Sequence, residues 1–295
     1  MSASASLVVA RRAVVADYLE LTKPRITLMV MMTALVGYVM GARGPVDLSR
    51  LALALAGTGL VAGGASALNM LLERRTDALM LRTRNRPIPA GRLRGPEALA
   101  FGLALTLAGL GVLRFGAGGL AAAVALLTWA TYLFAYTPLK TRTSLSTIVG
   151  AFPGALPPVI GWTAARGQLE PGAVVLFAIL FLWQIPHFLA IAWIYREDYA
   201  RGGLPMLPVL DPAGVLTGRQ AVANSFALLL VSLVPTMAGL AGRAYLVGAV
   251  VLGLAFTGVA VASAVRRTLP AARALFLASV VYLLALCTLL LVDRV

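Results

Sequence analysis

The 295-residue chain is 60% hydrophobic and 12% charged, with 25 Lys and Arg against 11 Asp and Glu and a formal net charge of +14. Soluble domains carry about a quarter charged residues, so this composition, with a mean hydropathy of +0.90, excludes a water-soluble fold and marks a membrane protein. The basic residues are scattered among apolar runs instead of forming one hydrophilic face or tail, which speaks against a nucleic-acid partner.

In chain order, residues 1–16 lack an apolar core closed by a small-residue cleavage site, so no secretory signal is expected. They are rich in Ser and Ala and carry Arg11 and Arg12 without an acid, a composition that weakly resembles an organellar transit sequence. We read residues 1–24 as a cytoplasmic N-terminal tail. A helix needs about 20 mostly apolar residues to cross a hydrocarbon core. Nine windows qualify, near 25–42, 51–72, 97–113, 117–136, 145–163, 172–194, 220–241, 244–264 and 271–292. The expectation is an all-α, polytopic bundle of nine transmembrane helices forming a single intramembrane domain over residues 1–295.

Orientation follows from the basic residues, which concentrate in cytoplasmic loops. Nineteen of the 25 fall on the side of the N-terminus, and the other side holds Arg43, Arg50, Arg114, Arg166, Arg243 and Arg294. The N-terminus is therefore expected in the cytoplasm and the C-terminus outside. The two long connections, near 73–96 and 195–219, follow even-numbered windows and share the cytoplasmic side. A multi-pass protein of the inner (cytoplasmic) membrane, embedded in the lipid bilayer with its active site facing the cytoplasm, is the implied localisation.

The second window ends in Asn69-Met-Leu-Leu-Glu73-Arg-Arg-Thr-Asp77. On a helix, positions i, i+4 and i+8 lie within an arc of about 80°, so Asn69, Glu73 and Asp77 form one polar stripe. Like charges at that spacing repel, and ionised groups near hydrocarbon are expensive and usually functional. Either neighbouring arginines or a divalent cation must sit among them. Hard oxygen donors suit Mg2+, which takes one or two carboxylates and completes its shell with water and substrate phosphate. Downstream come Arg82, Arg86 and, after the fourth window, Lys140 and Arg142, cations able to grip phosphate oxygens.

The fifth window is dense in Gly and Pro, from Gly150 through Pro153, Gly154, Pro157 and Pro158 to Gly161. Two readings stand: close helix packing through small residues, or a broken helix lining a chamber. His187, the single histidine, lies in the apolar sixth window and reads either as a hydrogen-bonded core residue or as a ligand. The second long loop, Tyr195 to Pro208, brings Asp198 to the face that carries Asp77, with Gly202, Gly203, Pro205 and Pro208 shaping it as a lid. The lone Cys287 has no partner within the chain and reads as a small core residue.

Several separated segments, in order, resemble the intramembrane prenyltransferases of the UbiA superfamily, and within it the haem-modifying branch. They are Leu21-Thr-Lys-Pro-Arg-Ile-Thr27, Asn69 to Asp77, Arg82-Thr-Arg-Asn-Arg-Pro87, Pro89-Ala-Gly-Arg92, Tyr136-Thr137 through Lys140, Trp183-Gln-Ile-Pro-His-Phe188, and Asp198-Tyr199 with Pro205-Met-Leu-Pro208. The resemblance implies transfer of farnesyl from farnesyl diphosphate to a vinyl group of protohaem IX (haem B, a substrate and not a cofactor), with addition of water, giving haem O and diphosphate. It implies Mg2+ on Asn69, Glu73, Asp77 and Asp198, diphosphate on Arg82, Arg86, Lys140 and Arg142, and an axial contact from His187 to the haem iron. Haem A synthase and oxidase assembly factors are the candidate protein partners.

The superfamily's usual acids are replaced here by Met70, Glu73 and Gly202. These departures suit the haem branch, and they favour one Mg2+ over two. The rival readings are an aromatic or quinone prenyltransferase with the same diphosphate chemistry, and a transporter in which Glu73, Asp77 and Asp198 mark an ion path.

Overall fold

The computed structural model describes residues 14–295, so residues 1–13 of the N-terminal tail lie outside the described residues. Among the described residues, nine helices are long and apolar enough to cross a membrane: Pro24–Gly41, Leu48–Leu72, Gly95–Ala117, Gly119–Leu139, Ser146–Arg166, Pro171–Ile194, Val215–Met237, Arg243–Arg266 and Leu269–Val292. We number them as spans one to nine. Each coincides with one apolar window. Span seven starts earlier than its window because the Asp211 carboxylate accepts hydrogen bonds from Thr217 N and Oγ1, at 2.7 and 2.9 Å, and fixes the helix entry. Residues 14–21, within the stretch read as a tail, are helical. Leu21 there is fully buried against Ala67, Met70, Ile88, Leu93 and Ala98, and the Tyr18 ring meets Phe101 edge-on at 4.9 Å.

Spans two and three pack closely, span one lies along the second half of span five, and spans six to nine form a second group that touches span one through span nine. Loop contacts sort by parity. At one end, Lys23 meets Asn69, Lys140 meets Glu73, and Asp198 meets the backbone of Leu81 and Arg82. At the other, Arg43 and Arg166 reach Glu170, Asp293 O accepts from Gly242 N, and the Arg294 guanidinium donates to Ala42 O. Both long loops therefore lie at one end, as the four crossings between them require.

Span five both breaks and packs through small residues. The helix breaks at Leu156, between Ser146–Ala155 and Pro157–Arg166, with Pro153 inside the first half. Gln184 Nε2 donates to Leu180 O at 2.9 Å and to Ala151 O at 3.4 Å, filling the space left open by Gly154. In the second half, a Cβ on Gly161 would overlap Ala34 O, and one on Gly37 would overlap Pro158 O. These glycines let two backbones touch, the packing that replaces the hydrophobic effect inside a bilayer. Gly161→Leu is therefore expected to leave little monodisperse protein on size exclusion. Overpacking ordinarily costs about 1–3 kcal/mol, and here the rigid partner is backbone. Gly111→Ala, which meets nothing within 4 Å, should leave the thermal midpoint in detergent unchanged or raised.

Candidate active site

Asn69, Glu73 and Asp77 sit on one stripe because the i to i+4 backbone bonds run on past the end of span two: Glu73 N donates to Asn69 O and Asp77 N to Glu73 O, at 2.9 and 2.8 Å. Asn69 and Asp77 are each 1% exposed, so their polar groups must find partners within the protein. Each is met by a cation from a different segment. Lys23 Nζ donates to Asn69 Oδ1 at 2.8 Å, Lys140 Nζ to Glu73 Oε1 at 2.8 Å, and Arg86 Nη1 to Asp77 Oδ2 at 2.7 Å. Asn69 Nδ2 donates to Thr137 Oγ1 at 3.1 Å, and Thr83 Oγ1 to Asp77 O at 2.9 Å.

The electrostatics follow from this crowding. Burial alone would raise the Glu73 pKa, but the charges of Lys140 and Lys23, with hydrogen bonds from Lys140 and Asn69, hold it below the usual carboxylate range. Lys23 is pushed down to about 8, first by burial and then by repulsion from Arg86 and Lys140, which Glu73 and Asp77 only partly offset. Its backbone adopts φ 48°, ψ 64°, a left-handed conformation rare for a side-chain-bearing residue. A following proline disfavours the α region, and the residue turns its ammonium inward onto the stripe. Such local strain, of order 1–3 kcal/mol, persists where the surroundings over-determine it.

Two of the four cations expected to hold phosphate, Arg86 and Lys140, lie in this cluster. The other two do not join it. Arg82 lies over the rings of Tyr195 and Tyr199, at 5.0 and 5.8 Å, on the wall of a surface cavity of about 410 Å3. Arg142 is exposed on its loop. Lys23 takes a place in the cluster that the residue pattern did not assign. Its one sequence signal was a lysine preceding the proline that opens a span. The Tyr132 and Tyr136 rings, stacked at 5.5 Å, lie on a π-helical segment, Thr131–Tyr136, and Lys140 Nζ sits 5.3 Å from the centre of Tyr136. Wide turns of that kind re-aim side chains and recur at functional sites.

Asp198 is 6% exposed on the short helix Arg196–Arg201. Its Oδ1 accepts from Leu81 N at 2.8 Å and its Oδ2 from Arg82 N at 3.0 Å, while Arg201 Nη2 lies 3.1 Å from Oδ1. Burial opposes its ionisation, yet these N–H groups and the Arg201 and Arg82 charges bring its pKa below the ordinary aspartate value. Both oxygens thus clamp the first long loop to the second. Beside it, a Cβ on Gly202, the residue that stands where the superfamily's last aspartate would be, would lie 3.0 Å from Met80 Cγ, so a methionine fills the space there.

The donor set decides how far a metal fits. Among the described residues, no group of three or more His, Cys, Asp or Glu side chains is placed to hold an ion. The stripe itself offers two carboxylates and an amide, with Glu73 Oε2 and Asp77 Oδ1 outside the ion pairs. That matches a single Mg2+ completed by water and phosphate oxygens. The second wall offers no comparable set, since Asp198 holds backbone and Gly202 adjoins Met80.

His187 lies seven residues before the end of span six, about 10 Å deeper by helical rise. Its ring stacks on Trp183 at 4.8 Å and lies 5.1 Å from Phe276. Its Nδ1 is 2.7 Å from Ser279 Oγ on span nine.

Comparisons agree with this architecture. Residues 30–291 match the model of the UbiA prenyltransferase family. The chain is 51% identical over 287 residues to the protoheme IX farnesyltransferase of Solibacter usitatus, covering 94% of this chain and 98% of that protein. A solved structure from a study of digeranylgeranylglyceryl phosphate synthase superposes with a TM-score of 0.79 at 16% identity, covering 95% of this chain and 98% of that one. A UbiA homolog from Archaeoglobus fulgidus bound to GPP and Mg2+ superposes with a TM-score of 0.68 at 16% identity, over 94% and 99%. At such identities the structural likeness speaks for the fold.

Proposed function

The chain belongs to the UbiA prenyltransferase family, and we propose that it transfers farnesyl from farnesyl diphosphate to a vinyl group of protohaem IX, with addition of water, releasing diphosphate and forming haem O. The carrying observation is the match, across nearly the full chain, to a relative named for that activity. The stripe of Asn69, Glu73 and Asp77, interleaved with Lys23, Lys140 and Arg86 at one end of an apolar bundle, supplies the fitting chemistry.

Glu73 and Asp77, with Asn69, would hold Mg2+, which when bound supplies Lewis-acid neutralisation of a leaving diphosphate. Lys140 and Arg86 then exchange their carboxylate partners, and Lys23 the Asn69 amide oxygen, for phosphate oxygens as substrate enters. As the allylic C–O bond breaks, Lys23, Lys140 and Arg86 stabilise charge growing on the diphosphate. The Tyr132 and Tyr136 ring faces offer a cation-tolerant apolar wall that excludes stray water. The vinyl carbon forms the new C–C bond, water adds to the resulting cation next to the pyrrole, and a proton leaves. His187, deeper in the bundle on span six, is the residue that would contact the haem iron. The 19-to-6 distribution of Lys and Arg supports an inner-membrane protein whose active end faces the cytoplasm.

Purified protein offered labelled farnesyl diphosphate, Mg2+ and equal haem and hydroxybenzoate should place the label on haem and release diphosphate. Label on the hydroxybenzoate would transfer the assignment to an aromatic prenyltransferase. Transport of substrate without diphosphate release would remove the enzymatic reading altogether.

A further inference from the structure

The hydrogen bonds around His187 determine which ring nitrogen carries its proton. Ser279 Oγ lies 2.5 Å from Phe276 O and 2.7 Å from His187 Nδ1. A serine hydroxyl has one proton, and a carbonyl can only accept. The Ser279 proton is therefore committed to Phe276 O, and its oxygen accepts from Nδ1–H of His187. A neutral imidazole protonated on Nδ1 carries its lone pair on Nε2. That atom makes no hydrogen bond to a described residue, and His187 is only partly buried.

The ring is also held in orientation. Trp183 stacks on it with an interplanar angle of 24°, and Trp183 Nε1 donates to Ser279 O at 2.7 Å. Ser279 thus grips His187 through its side chain and the stacking tryptophan through its main chain. Ser279 itself is fully buried. Metal-binding histidines characteristically have their second nitrogen fixed in this way, which sets tautomer and ring direction.

We propose that Ser279 is the positioning residue that fixes His187 as the Nδ1–H tautomer and presents Nε2 to the iron of the porphyrin acceptor. This rests on the reading of haem as the acceptor, and it adds a residue on span nine whose sequence surroundings, an apolar Ala-Ser-Val run, carry no sign of such a role.

The test titrates haem into the full-length protein in detergent, with absorption and resonance Raman spectra of the ferrous form and thermal midpoints of the haem-free variants. Wild type should show a histidine–iron stretch. His187→Ala should lose it and regain ligation with added imidazole. Ser279→Ala should weaken haem binding about tenfold and shift or broaden that stretch, while the haem-free variant still unfolds cooperatively. Ser279→Cys, of nearly the same size, serves if the alanine variant misfolds, and should shift the stretch likewise. An unaltered stretch and affinity in the folded Ser279 variant would overturn the positioning role. A wild-type spectrum from His187→Ala would overturn ligation itself, and continued haem prenylation in that preparation would show that the acceptor assignment survives. Absence of both haem binding and haem prenylation in wild type would instead defeat the functional reading.

Discussion

Glu73→Gln, or Asp77→Asn, is expected to lower Mg2+-dependent diphosphate release by at least about a thousandfold. Metal neutralisation of a leaving group contributes several kcal/mol to the transition state, and a loss of about 4 kcal/mol is a thousandfold in rate. Each substitution also leaves a cation without its counter-charge: Lys140 loses Glu73, or Arg86 loses Asp77. Breaking a buried ion pair typically costs about 3–5 kcal/mol, so lost activity alone could report unfolding. The double variant Glu73→Gln/Lys140→Met removes the stranded charge. It should recover the thermal midpoint relative to Glu73→Gln and stay inactive. Near-normal product formation by either single variant, assayed with labelled farnesyl diphosphate, would show that the stripe does not hold the metal diphosphate.

The spans, their parity and the acidic stripe are legible in the sequence because each depends on local spacing. About 20 apolar residues make a crossing, and four-residue spacing puts Asn69, Glu73 and Asp77 on one helical face. The partners of that stripe are not legible, since Lys23 reaches Asn69 across 46 residues and Lys140 reaches Glu73 across 67. Which cation meets which acid depends on helix rotation and tilt, which packing sets. Arg82 and Arg86 illustrate the limit: both belong to one basic run, yet Arg86 pairs with Asp77 while Arg82 lies on Tyr195 and Tyr199. The helical segment at residues 14–21 was likewise hidden, because its anchor, Leu21, is buried by residues far along the chain. Gly and Pro in span five were ambiguous for a different reason. One half of the span uses them to break, and the other uses them to pack against span one.

Asp198→Asn separates two roles that a single carboxylate can play. As a loop clamp, Asp198 accepts from two backbone N–H groups, Leu81 at 2.8 Å and Arg82 at 3.0 Å. An asparagine matches the shape but can accept only through its one oxygen, and its NH2 faces the other N–H. Hydrogen bonds to a charged group contribute about 1.5–3 kcal/mol each, so losing one should speed amide exchange at Leu81 and Arg82 by roughly tenfold to a hundredfold. The segment from Leu81 to Arg86 then loses its hold on the second loop, and with it the placement of Arg86 beside Asp77. Turnover should fall with no change in the Mg2+ concentration needed for half-maximal rate, and excess Mg2+ should not restore it. A metal ligand would behave otherwise: the Mg2+ requirement would rise, high Mg2+ would recover much of the rate, and exchange at Leu81 and Arg82 would stay near the wild-type value. The exchange rates and the Mg2+ titration therefore move in opposite combinations, and the wild-type geometry, with both Asp198 oxygens on the backbone of the first loop, leads us to expect the first.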